Sequence, residues 1–151
     1  RTQVKNLSDS YDHIIIDCPG RDDGLTRDAL TVADVALLPV TPDSLDVWAI
    51  SASLETITAA SAFNRKLRPV LILNKLRSGT AEARVARRLF EQLEVPILRT
   101  EIGLRVTYGR FADAGGGVFK FKPSGKAAKE IQQLATDLLE LEASTKEVAN
   151  V

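Results

Sequence analysis

Apolar residues in this 151-residue chain fall into short continuous runs, separated by stretches with helical spacing. His13–Asp17 carries three successive isoleucines and ends on a carboxylate before Pro19-Gly20. That pattern predicts a strand covered on both faces. Leu25–Ala33 predicts a short helix and Val35–Val40 a second buried strand, with Pro39 and Pro42 closing it because proline removes a ladder donor. Asp43, Ser44 and Asp46 offer cap oxygens for a long helix reaching about Phe63. Val70–Leu73 predicts a third strand, ending at Asn74-Lys75. Thr80 caps a helix over Ala81–Leu93, and Pro96-Ile97-Leu98 begins a fourth strand.

A short helical segment around Leu104–Asp113 precedes the Gly115-Gly116-Gly117 break. Ser124 is the predicted cap of a last helix, whose inner face takes Ala128, Ile131, Leu134 or Ala135, and Leu138. Residues 1–143 are expected to form one domain and residues 144–151 a frayed tail. Strand–helix alternation predicts an α/β fold, a mostly parallel doubly wound sheet with helices on both faces. Such sheets bind ligands at the carboxyl ends of their strands, where Asp17, Pro39-Val40 and Asn74 are expected to converge.

Composition narrows the class. The length suits one domain with a real core. Cys18 is the single cysteine, which excludes an intramolecular disulfide framework and fits a reducing compartment. No apolar run approaches the ~20 residues that span a bilayer, and the polar N-terminus does not read as a signal peptide. A cytoplasmic protein is expected. Zero net charge hides a segregation: residues 1–60 hold 4 Lys/Arg against 10 Asp/Glu, residues 61–130 hold 15 against 6, and residues 131–151 hold 1 against 4. A basic middle segment can mark a nucleic-acid surface, or can simply be helices facing solvent.

Several residues are candidates for chemistry. A carboxylate just past a buried strand is costly unless a cation or hydrogen bonds compensate it, so Asp17 points to magnesium or to a capped turn. Gly20 permits close approach of backbone to a phosphate. Asn74 presents an amide suited to a purine edge, with the Lys75 stem alongside, or else forms a plain turn. Lys122-Pro123-Ser124-Gly125-Lys126 lacks the glycine spacing of a phosphate loop, and Ser124 reads more simply as a cap. Arg84, Arg87 and Arg88 lie side by side on one helix. Arg99, Arg105, Arg110, Lys120 and Lys122 crowd the later loops, a pattern suited to sequence-independent phosphate contact. His13 and Cys18 stand too isolated for a His/Cys metal site.

Taken in order, these residues resemble the ParA/MinD group of ATPases with a deviant Walker A loop. The resemblance rests on Tyr11-Asp12 before the isoleucine run, Asp17-Cys-Pro-Gly, and Ala33-Asp34-Val35 leading into Leu38-Pro39-Val40. Pro42, Leu45 and Asp46 follow, then Leu71-Ile72-Leu73-Asn74-Lys75, Leu98-Arg99-Thr100-Glu101-Ile102, and a late Gly-Val-Phe before Pro123. It covers nearly the whole chain and looks closest to small plasmid-partition ParA proteins. It implies a P-loop NTPase-like sheet, ATP and Mg2+ as cofactors, and Asp17 as the Walker B-type carboxylate that organises magnesium and water. It also implies that Gly20 senses the terminal phosphate, Asn74 and Lys75 hold the adenine, and Pro123 closes over it. Family members sandwich ATP in a homodimer, bind DNA non-specifically and work with a centromere-binding adaptor protein, in the bacterial cytoplasm at the nucleoid. For DNA the resemblance favours Arg105, Arg110, Lys120 and Lys122, then Arg84, Arg87 and Arg88.

Two departures stand out. Many relatives have Pro-Pro where this chain has Pro19-Gly20, and the Walker A strand, loop and helix are missing from the residues before Asp17. ATP hydrolysis by this chain alone is therefore not expected. Membrane anchoring of the MinD kind is not expected either, since Asp137 to Val151 holds one lysine against four acids. The leading expectation is the C-terminal portion of a ParA-type partition ATPase. The rival is a non-catalytic, P-loop-less module that pairs with another chain.

Overall fold

The computed structural model describes residues 2–19, 24–42, 44–77 and 79–149. Its strands are β1 (Val35–Val40), β2 (Arg68–Leu76) and β3 (Ile97–Gly103), a three-stranded parallel sheet in the order β1-β2-β3 with helices around it. The α/β architecture expected from the alternation is therefore present. In β2, Val70, Leu71, Ile72 and Leu73 are successively buried, as a central parallel strand requires. Two compact units divide the chain, Arg1–Leu38 with Ser44–Val70, and Pro39–Asp43 with Leu71–Val151.

In the first unit, α1 (Thr2–Ser8), α2 (Gly24–Leu30) and α3 (Ser44–Ser61) accompany the start of the sheet. Leu30, Ile57, Ala60 and Leu67 form its core, packed by Ala33, Ala36, Leu38 and Leu54. Asn64 fastens the end of α2: its Nδ2 donates to the carbonyls of Leu30 at 3.0 Å and Ala33 at 2.7 Å. One carbonyl ends α2 and the other lies three residues past it, so a side-chain amide supplies the donor that the helix end lacks.

The predicted strand over His13–Asp17 is not one. The segment forms neither helix nor strand, and Ile15 is 95% exposed. Strand propensity reflects pairing and packing more than an intrinsic backbone preference, and no described strand hydrogen-bonds to these isoleucines.

The second unit holds α4 (Ala81–Glu91), α5 (Val106–Asp113), α6 (Val118–Phe121) and α7 (Lys126–Ala149). Thr80 caps α4 as expected, its Oγ1 accepting from the Ala83 N–H at 3.3 Å. The cap of α7 differs from expectation. The Lys129 N–H donates to the Gly125 carbonyl, so Gly125 rather than Ser124 occupies the cap position. Its helical backbone runs on through Ala149, past residue 143. Val118, Ala127 and Ala128 form a second core with Tyr108, Phe111 and Ile131.

Two carboxylates on α7 hold β3. Asp137, 8% exposed, accepts the Thr100 N–H through Oδ2 at 2.9 Å and the Gln133 amide through Oδ1 at 3.0 Å. About two helical turns earlier, Glu130 accepts the Gly103 N–H at 3.4 Å and Arg105 Nε on both oxygens, at 3.1 and 3.0 Å, with Arg105 Nη2 closing the pair. Tyr108 donates its hydroxyl to Glu130 Oε2 at 2.9 Å, with the Ala127 carbonyl at 3.3 Å as the alternative acceptor. β3 ends the strand order, so these side chains take N–H groups that no described strand claims.

The same contacts set the ionisation of the cluster. Burial pushes the Asp137 and Glu130 carboxyls up, but hydrogen bonds outweigh it and hold both below the ordinary range. For Asp137 these come from Gln133 and Thr100, for Glu130 from Arg105, Tyr108 and Gly103. Burial, then the bond to Glu130, push the Tyr108 phenol up to about 12.

A depressed carboxyl contributes stability that is present above its unfolded pKa, about 4, and is lost as pH falls through the folded value. The urea midpoint should therefore fall as the protein is acidified from neutrality. Asp137→Ala leaves the Thr100 N–H buried without an acceptor and should cost about 2 kcal/mol at neutral pH. The difference between this variant and the parent should shrink in acid. A midpoint unchanged by the substitution would remove Asp137 from the hold on β3.

Candidate functional site

Within the first unit, Asp17 lies in the irregular stretch before Pro19 with its carboxylate exposed. Gly20 falls outside the described residues. Among the described residues no three His, Cys, Asp or Glu side chains gather to cage a metal. Magnesium does not require such a cage: it keeps several waters and is held by one or two carboxylates plus substrate phosphates. A solvent-facing Asp17 fits that mode as a partner for metal-bound water, and does not fit direct retention of the ion by protein alone.

Within the second unit, Asn74 and Lys75 are not beyond the strand, as expected, but in its last turn of register before buried Leu76. The pairing of β2 with β3 is irregular between Leu73 and Leu76. At that irregularity Lys75 takes a left-handed conformation, φ +53°. For a residue with a Cβ this costs roughly 1–2 kcal/mol. The Asn74 Oδ1 accepts the Lys75 N–H at 2.9 Å and supports the conformation locally. The half-buried Asn74 keeps its amide donor uncommitted among the described residues, at the carboxyl end of a central strand. Pro123 is elsewhere on this unit. It lines an open depression of about 340 Å3 with Ala128, Lys129, Gln132 and Gln133, and Asn74 is not part of that wall.

The basic residues divide into two sets. Arg87 donates through Nε and Nη2 to Glu101 Oε1, at 3.2 and 3.0 Å, and reaches the Leu98 carbonyl at 3.5 Å. Arg105 is taken by Glu130, and that bond holds its guanidinium more firmly protonated, against an opposing effect of burial. These two arginines brace β3 and its neighbours. Arg84, Arg88, Arg110, Lys120 and Lys122 are exposed and pair with no carboxylate among the described residues. Lys120 places its Nζ over the Phe121 ring, 5.5 Å from the centroid.

Sequence reasoning passed over three features of this unit. The alternation Phe119-Lys120-Phe121-Lys122 interleaves aromatic and basic residues within a basic stretch that is otherwise poor in aromatics. Asp137 was assigned only to an acidic tail, and it sits among helical positions that face the sheet. Glu130 carried no signal at all, since its partners are 22 to 27 residues away.

Comparison with known proteins agrees with this architecture. A family model described as an AAA domain matches residues 1–69. The chain is 32% identical to the maintenance of carboxysome distribution protein A of Halothiobacillus neapolitanus, over 90% of this chain and 64% of that protein. It is 30% identical to a ParA family protein of Chlamydia pneumoniae, over 89% of this chain and 53% of that one. The cell division protein PomZ of Myxococcus xanthus is 26% identical over 92% of this chain and 44% of its own length. The chain thus spans less than two thirds of each of these relatives. Nearly all of this chain aligns with them, and its parallel sheet with helices around it is consistent with an α/β P-loop NTPase-like fold. Over nearly its whole length the chain is similar to ParA/MinD-type P-loop ATPases.

Proposed function

We propose that this chain is the C-terminal portion of a ParA-type ATPase that segregates or positions cargo through ATP-dependent dimerisation and sequence-independent DNA binding. The observation that carries the reading is the strained Asn74-Lys75 corner. A left-handed lysine at the carboxyl end of a central strand costs stability, and such costs gather at ligand sites. There the Asn74 amide donates to a purine acceptor while the Lys75 stem lies along the base. Pro123, after α6, belongs to the loop that closes over the nucleotide in this reading, and Gly20 to the segment that senses its terminal phosphate.

Magnesium bound with ATP would neutralise phosphate charge, and the exposed Asp17 carboxylate would hold a water of that ion. The partners in this reading are a second copy of the protein, DNA and a centromere-binding or equivalent adaptor. The setting is the bacterial cytoplasm at the nucleoid. Among the described residues no helix is long and apolar enough to cross a membrane. Carboxysome distribution and cell division in the relatives' names are consistent with a positioning role whose cargo differs between proteins.

A second reading has its own observation. The exposed isoleucines Ile15 and Ile16, outside any described strand, suit a non-catalytic module that completes its sheet with another chain. Nucleotide binding separates the two. Calorimetric titration of Mg-ATP into the 151-residue chain should give no micromolar binding, because the lysines that neutralise phosphates belong to a Walker A loop. A longer protein carrying that loop should bind, and Asn74→Ala should weaken it about tenfold through the lost hydrogen bond. A longer protein that binds no ATP would leave the module reading standing, and an unaffected Asn74→Ala would remove the adenine role.

DNA binding by the exposed cations should be sequence-independent and fall steeply with salt. Lys122→Ala should lower the slope of log K against log salt by about one. Arg87→Ala should instead lower the unfolding midpoint, because Arg87 is committed to Glu101. Fluorescence anisotropy across a salt series measures the first and urea unfolding the second. Binding that does not change with salt would sink the electrostatic surface.

A further inference from the structure

We infer that two copies of this chain associate without nucleotide, the basic outer face of α4 in each copy packing on the acidic outer face of α7 in the other. The inference goes beyond the proposed function, in which ATP joins the two copies, and it needs neither ATP nor DNA.

The carrying observation is a pair of matching ridges. α4 turns Ala86 and Phe90 into the core, which leaves Ala81, Val85 and Leu89 on its outer side at four-residue spacing. Val85 is 61% and Leu89 37% exposed. On α7, Asp137 faces inward, and Ala135, Leu139 and Ala143 are exposed at the same spacing, Leu139 at 50%. Rows with this spacing interdigitate in the commonest class of helix packing.

Charge separates the same two faces. Arg84 and Arg88 flank the α4 row, exposed and without a carboxylate partner among the described residues. Glu140 is exposed beside Leu139, in a segment, Asp137 to Val151, that holds one lysine against four acids. Like faces repel and unlike faces attract, so α4 selects the partner's α7 over the partner's α4.

Both helices are tied to β3, the strand that ends the sheet. Arg87 of α4 donates to Glu101 and to the Leu98 carbonyl, and Asp137 of α7 accepts the Thr100 N–H. A two-fold axis beside β3 makes the contact twice, α4 on the partner's α7 and α7 on the partner's α4, as an isologous interface requires. α7 also outruns the strand. Its run from Glu130 to Asp137 matches the strand from Gly103 to Thr100, about 10 Å in each case. At that pace the strand's first residue, Ile97, lies opposite Ser144, and the helical backbone continues through Ala149.

Other occupants fit less well. A duplex backbone gives phosphates to the arginines and nothing to an aliphatic row. A lipid surface takes a broader apolar face than one row of side chains provides.

The test is sedimentation velocity of the 151-residue chain over a concentration series, without nucleotide. The chain should form a dimer that dissociates as salt is raised. Arg84→Glu with Arg88→Glu, and separately Glu140→Lys, should each weaken dimerisation at least about tenfold. An equimolar mixture of these two variants should dimerise again, because opposite charges then meet at both contacts. Val85→Asp should weaken dimerisation in the same way, and unchanged urea midpoints would confirm that each variant folds. A chain that stays monomeric, a dimer that no variant affects, or a mixture that stays monomeric overturns the inference. So does capture by anionic vesicles or duplex DNA that Val85→Asp abolishes while the chain remains monomeric. ATP-dependent dimerisation stands or falls separately, on the titration of Mg-ATP into the longer protein.

Discussion

The second unit depends on how α7 is tied to the last strand of the sheet. An edge strand carries backbone donors that must find acceptors, and here two carboxylates about two helical turns apart on α7 supply them. Asp137 takes the Thr100 N–H and Glu130 the Gly103 N–H. Because charged acceptors make stronger hydrogen bonds than neutral ones, each contact anchors the strand as well as satisfying it. Glu130 then recruits Arg105 and Tyr108, so the chain leaving β3 and helix α5 are fixed by the same residue. Helix α6 follows from that anchorage, since Tyr108 and Phe111 join Val118, Ala127 and Ala128 in one small core.

This arrangement sorts the positive charges by role. Arg105 and Arg87 lie in the basic stretch with the others, but each is matched to a glutamate and acts as a brace. Such pairs at partly exposed positions contribute modestly to stability; their larger consequence is geometric. Arg84, Arg88, Arg110, Lys120 and Lys122 stay exposed, with no carboxylate partner among the described residues. Counting charges along the sequence cannot make this distinction.

Elements whose signals are local were legible in advance. The strand Val35–Val40 is where its apolar run put it. Thr80 caps α4, because an N-cap needs only a hydroxyl three residues before a free N–H. Leu134 rather than Ala135 sits on the half-buried face of α7, so the helical spacing held with one alternative resolved. The misses share a cause. Ile14–Ile16 looked like a strand, but a strand is made by its neighbours, and the isoleucines have none among the described strands. Asn64 closing α2, Glu130 gathering Arg105, and the left-handed Lys75 all depend on partners or irregular pairing that no window of sequence contains.

By itself the sequence determined the alternation of strands and helices, the family those residues resemble, and the concentration of positive charge in the middle of the chain. These follow from side-chain periodicity and residue type, which are properties of the chain before it folds. Tertiary structure decided which charges are spent on holding β3 and which remain exposed, and where the backbone is strained at Asn74-Lys75. It also decided that Val85 and Leu89 stand out beside arginines on α4. Each of those outcomes turns on a contact between residues distant in sequence or on the register of two strands, and only the folded chain brings such groups within a few ångströms of each other.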